Sequence, residues 1–212
     1  YEAALRLRQS LLAADPTVLQ YQRDAGYSYL GMADLLGSDG DLAAAEPLLA
    51  EAVALRGQIV GAMPNDIQAN RELMIARNRH ASVFLDLGRA VDALNESQAA
   101  LSSAERLLQL APDVPDYLHD RMITLNRIGD AQAALNDSAA AVVTFRAMAA
   151  DGSSLLDIDA YNTDWAYELG IALERLGDAQ AQSGDVAGAL KSQRDALALR
   201  EWLVGQDQAN PD

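Results

Sequence analysis

Residues 175–197 read RLGDAQAQSGDVAGALKSQRDAL, and two helical patterns meet in them at a glycine. Apolar and small residues run up to Gly184, Asp185 follows it, and Ala189 and Ala196 mark a second stripe. Glycine ends a helix because it enters the left-handed conformation without a Cβ penalty. Aspartate starts the next one because its carboxylate accepts a free backbone N–H of the first turn. The stretch predicts a helix, a tight turn and a second helix.

Three more copies lie upstream, each shifted by 48 residues. Pro16, Pro64 and Pro112 mark the period, and the next step lands on Ala160, just before YNTDW. The turn column is Gly40, Gly88, Asn136 and Gly184, and asparagine is the other residue that tolerates a left-handed backbone. Asp41, Asp137 and Asp185 follow as N-caps, with Arg89 departing from the pattern. Small residues recur as Ala33, Ala81, Gly129 and Gly177, then as Ala45, Ala93, Ala141 and Ala189 on the facing stripe. Thr17, Asn65 and Asp113 are the expected N-caps of the first helices, with Gln20, Gln68 and Asp116 three residues on; Asn162 or Thr163 takes that place in the fourth copy.

The expected organisation is a single all-α domain. It comprises the end of a preceding helix (1–14), repeats at 15–62, 63–110, 111–158 and 159–206, and a tail at 207–212. An opening that is already helical and lacks an initiating Met reads as a piece of a longer protein. Gly152 falls inside a second helix, and because the register holds across it a strained or kinked helix is expected there in preference to a long loop.

Composition agrees. The 212 residues are 50% hydrophobic and only 5% aromatic, a mixture suited to helices packed through small side chains. A formal charge of −15 argues against nucleic acid as a partner and favours a basic or zwitterionic one. Cysteine is absent, which removes disulfides, thiol nucleophiles and cysteine-bound zinc while leaving the redox compartment open. No apolar run approaches membrane-spanning length, so no membrane partner is expected.

The spacing Leu176-Gly177, Gly184, Ala189, Ala196 resembles the tetratricopeptide repeat, and the other copies carry it through nearly the whole chain. That family's unit is about 34 residues. The excess of about 14 here equals roughly four helical turns, or two added to each helix. The long-unit tetratricopeptide arrays of bacterial signalling proteins look similar. The resemblance implies a right-handed superhelical solenoid of antiparallel helix pairs that binds proteins and has no catalytic role.

It also implies that the first helix of each pair lines a concave groove in which an extended peptide or a partner's helix lies. Columns on that face begin with Arg23, Arg71, His119 and Tyr167, followed by Tyr27, Ile75, Ile123 and Ile171. Then come Leu30, Asn78, Asn126 and Glu174, and after them Gly31, Arg79, Arg127 and Arg175. The candidate binding residues are therefore Tyr27, Arg71, Ile75, Asn78, Arg79, His119, Ile123, Asn126, Arg127, Ile171 and Arg175. Asparagine offers donor and acceptor to a peptide backbone, and arginine a planar fork to a carboxylate. The competing reading is a solubilising ladder in which Asp130 and Asp178 neutralise Arg127 and Arg175 one turn away.

Further expectations concern single residues. Arg8 with Asp24, and Arg56 with Glu72, sit symmetrically about Pro16 and Pro64 and are expected to pair across the hairpin. Arg77 and His80 occupy columns that are apolar elsewhere. Arg77 is expected to carry its head to water, and His80 to be a hydrogen-bonded core residue. No catalytic residue, metal site or cofactor is expected: the two histidines lie on different helices, and SDGD (38–41) is explained as turn and cap. Leu5, Leu7, Leu11 and Leu12 leave self-association through terminal helices, or a spacer role, as the alternative function.

Overall fold

The computed structural model describes residues 2–209, with side chains described through residue 206. The fold is all-helical. The helices are α1 (Glu2–Ala14), α2 (Leu19–Ser38), α3 (Leu42–Ala62), α4 (Ile67–Asp86), α5 (Ala90–Leu110), α6 (Pro115–Ala134), α7 (Ser138–Ile158), α8 (Thr163–Gln182) and α9 (Val186–Ala209). The first helices α2, α4, α6 and α8 start 48 residues apart, as do the second helices α3, α5, α7 and α9. The sequence period is thus a structural period, each unit being a long helix pair joined by a tight turn.

The turn chemistry is the predicted one. Gly40, Gly88 and Gly184 hold positive φ (82°, 72°, 88°), and Asn136 joins them at 58°. Asp41, Asp137 and Asp185 accept from the backbone N–H of Ala44, Ala140 and Gly188. Arg89, in the same column, makes no side-chain cap.

The starts of α2, α4 and α6 differ from expectation by one residue, with Val18, Asp66 and Val114 as caps in place of Thr17, Asn65 and Asp113. Asn162 caps α8, one of the two residues expected there. Only Asp66 and Asn162 use a side chain, bonding the N–H of Ala69 and Trp165. Thr17 instead bonds back to Asp15, Asn65 accepts from Arg106, and Pro115 at the start of α6 has no N–H to cap.

The chain forms two compact units, residues 1–112 and 113–212. The boundary falls beside the end of the second repeat. In the first unit Leu5 of α1 joins Ala25, Tyr29 and Leu30 of α2 and Ala45, Leu49 and Leu55 of α3 in one core. In the second, Phe145, Met148 and Leu155 of α7 are buried with Met122 of α6 and Leu169 of α8. Here the alanines and glycines of the small columns set how closely helices approach. A Cβ on Gly129 would collide with the Phe145 ring. One on Gly152 would meet Met122 at 2.9 Å and Leu169 at 3.0 Å. Gly152 therefore admits its neighbours within an uninterrupted α7. Residues 210–212 of the expected tail lie outside the described residues. Among the described residues no helix is long and apolar enough to cross a membrane.

Candidate functional site

In the first unit, the face of α2 and α4 is organised by contacts between residues 45 apart, one turn short of the repeat. Tyr27 donates its hydroxyl to Glu72 at 2.6 Å, and Arg79 of α4 pairs with Asp34 of α2 at 2.5 Å. Glu72, 7% exposed, also lies 3.3 Å from Arg23 and 3.2 Å from Arg56, and accepts from Gln68. Arg56 is 2% exposed; its stem passes Gly26 and its guanidinium stands 4.8 Å from the Tyr27 ring centre. Burial, the largest effect, lowers the Arg56 pKa, and the Glu72 carboxylate opposes it. The hydrogen bond to Glu72 in turn raises the Tyr27 hydroxyl. A buried cation without its carboxylate would cost several kcal/mol, so this cluster fixes α2, α3 and α4 to one another.

Arg56 thus meets Glu72 as the hairpin symmetry predicted. Arg8 does not meet Asp24: its guanidinium bonds Ser28 at 2.6 Å, one turn further on, and Asp24 accepts from Gln20. The candidate residues on this face separate by exposure. Tyr27 (47%) and Ile75 (37%) are open to solvent, Arg79 is exposed beside Asp34, Arg71 is half-buried, and Asn78 is buried at 7%.

Arg77 and His80 face the other way, into the α3–α4–α5 packing. Arg77 keeps 25% of its side chain exposed, while its head also bonds the Ala99 carbonyl at 2.8 Å and lies 3.4 Å from Glu96. His80 is in the core but is not hydrogen-bonded. Its ring stacks on Phe84 at 4.1 Å while Nε2 and Nδ1 stand 3.6 Å and 3.9 Å from Glu46 and Glu96.

The second unit presents α6 and α8. Tyr167 is 57% exposed, and Ile123, Ile171, His119, Asn126 and Arg127 are half-buried. His119 Nε2, Asn126 Oδ1 and Arg127 Nε have no hydrogen-bond partner. Arg175 reaches Asp130 of the preceding repeat at 3.7 Å, again 45 residues away. The ladder therefore runs between repeats; Asp178, the predicted partner one turn along α8, accepts from Gln193 of α9 at 3.0 Å. Glu174 takes Arg200 of α9. Burial is the dominant influence on Asp130 and raises its carboxyl above the ordinary range, against the pull of Arg175 and Arg127.

Residues 26–67, one helix pair with its turn, match the family model of the tetratricopeptide repeat. No curated protein matches the chain. Among solved structures, a Podosopora anserina protein described as a kinesin light chain with nearly identical TPR-like repeats is 14% identical. That match covers 100% of this chain and 89% of that one, with a TM-score of 0.63. A single-substitution variant of the same protein matches with a TM-score of 0.66 at 14% identity, over 99% and 89% of the two chains. BtubC (BKLC) from P. vanneervenii is 15% identical over 96% of this chain and 89% of that one, with a TM-score of 0.56. At such identities the likeness is one of fold.

Proposed function

We propose that this chain, a tetratricopeptide-repeat protein by its matched segment and its fold, is a non-enzymatic interaction scaffold within a larger regulatory protein. Its first helices offer their open face to an extended peptide or a partner's helix. The observation that carries this reading is the exposure of large apolar side chains on that face, Tyr27 and Ile75 in one unit and Tyr167 in the other. The same helices carry arginine–aspartate pairs, Arg79 with Asp34 and Arg175 with Asp130, that can exchange partners with a ligand. Apolar anchors ringed by polar groups are the usual anatomy of a binding surface. Arg79 and Arg175 already have carboxylates, so the arginines alone make a poor trap for a peptide carboxylate.

The test is selection of peptides on the intact chain by display, followed by binding to Tyr27→Ser/Ile75→Ser and Tyr167→Ser/Ile171→Ser variants. Loss of binding in either double variant, with an unchanged melting temperature, supports the face. Undiminished binding in both refutes it.

A second reading, self-association, draws on α9. Leu190, Leu197 and Val204 are 55%, 55% and 56% exposed at seven-residue intervals along one stripe. Leu7 and Leu11 are open on α1, whereas Leu5 is in the core and Leu12 packs against it. Sedimentation that shows a dimer abolished by Leu197→Glu would favour this reading over the peptide face.

A further inference from the structure

The second unit holds a shallow pocket of about 90 Å³ where α6, α7 and α8 meet. Phe145, Ala133 and Ala179 give it apolar walls, and Asp130, Arg175, Asp178 and Gln182 complete the lining. That is room for about three waters or for the end of one long side chain.

The carboxylates are unequally served. Asp178 is exposed and holds the Gln193 amide. Asp130 is only 21% exposed, and its nearest cation, Arg175 Nη1, stays at 3.7 Å, beyond hydrogen-bond reach. The equivalent pair in the first unit, Asp34 and Arg79, closes to 2.5 Å although Asp34 is the better solvated of the two acids. Asp130 is thus less solvated than Asp34 and holds its cation less closely. That deficit is what raises its pKa despite Arg175 and Arg127.

We infer that this pocket receives the cationic end of a lysine or arginine side chain from a bound peptide. The incoming cation brings its charge and hydrogen-bond donors to Asp130, and its aliphatic stem lies along Ala133, Phe145 and Ala179. Arg175, half-exposed and loosely held, turns into water as the ligand enters. An apolar or acidic side chain would bury Asp130 further with nothing to pair it. The chain's charge of −15 draws a basic segment to the surface. The inference rests on the proposal that the α6–α8 face takes a peptide, and adds the chemistry of that peptide.

The probe is the pentapeptide Ac-Ala-Ala-Lys-Ala-Ala-NH2, with versions carrying arginine or norleucine in place of lysine, titrated into the isotopically labelled full chain. The lysine and arginine peptides are expected to give saturable shifts of the Ala133, Ala179 and Gln182 amides, with a Kd in the millimolar range. The tighter of the two identifies the cation. The norleucine peptide should give none. Asp130→Asn should weaken binding roughly tenfold, the worth of one charge-assisted hydrogen bond, while the remote Asp157→Asn leaves it unchanged. Equal response to norleucine, undiminished affinity in Asp130→Asn, or no saturable shift at roughly ten times a millimolar Kd would each overturn the pocket. Display-selected peptides that bind the α6–α8 face without any basic residue would remove the pocket and leave the face standing.

Discussion

His80 is the residue at which chemistry and column disagree most. It stands where the other copies have Met32, Ile128 and Leu176, and its two ring nitrogens are buried without a hydrogen bond. An unsatisfied buried polar group costs about 1–3 kcal/mol. Its carboxylate neighbours do not depend on it, since Glu46 has Arg89 at 3.5 Å and Glu96 has Arg77 at 3.4 Å. His80→Leu is therefore expected to stabilise the protein by about 1 kcal/mol in urea unfolding; a loss of stability would mean that the imidazole has a partner. The burial of His80 was legible from its apolar column, but its lack of a hydrogen bond was not, because that depends on how far Glu46 and Glu96 reach from neighbouring helices.

Asp130 gives a second residue-scale test. Its folded pKa lies above the unfolded value, so its contribution to stability is complete at pH below the unfolded value and is lost as pH rises through the folded one. Charged Asp130 thus costs stability at neutral pH. Asp130→Asn should raise the melting temperature at pH 7, and the gain should vanish as the pH falls below the carboxylate range. A gain that is the same at all pH values would contradict the desolvation argument.

At the scale of elements, glycines that share one column do different work. Gly129 lies against the rigid, buried ring of Phe145, whereas a Cβ on Gly177 would meet the flexible end of Gln193 at 2.8 Å. Overpacking costs about 1–3 kcal/mol, and replacing a helical glycine by alanine returns about 1. Gly129→Ala should therefore destabilise by about 2 kcal/mol, while Gly177→Ala should be neutral or stabilising, both read by thermal unfolding. Equal effects would show that helix propensity, not the α6–α7 approach, governs the column.

Helix pairing and turns were readable because Gly40, Gly88, Asn136 and Gly184 repeat a backbone requirement that few residues meet. The starts of α2, α4 and α6 were misplaced by one residue because Thr17, Asn65 and Asp113 are cap-forming types whose following neighbours take the cap position instead. Composition near a proline does not say which of two adjacent residues turns first. The inter-repeat ladder was missed for a geometric reason. Partners sit 45 residues apart, so aligning columns at 48 places Asp34 and Arg79, or Asp130 and Arg175, one turn out of step.

At the scale of the molecule, a 48-residue period is realised in four helix pairs, and within each compact unit consecutive helices bury their apolar faces against one another. The side chains differ at corresponding positions of the first helices, as Arg23, Arg71, His119 and Tyr167 do in a single column. The period was written in the sequence; what touches the surface was not, because exposure of Tyr27, burial of Asn78 and the loose Asp130 pair depend on side-chain packing. The most direct measurement is the amide-shift map of the intact labelled chain on addition of a display-selected peptide. Perturbations concentrated on α2 and α4 around Tyr27 and Ile75, or on α6 and α8 around Tyr167 and Ile171, are the predicted result. Perturbations confined to the second helices α3, α5, α7 and α9 would contradict it.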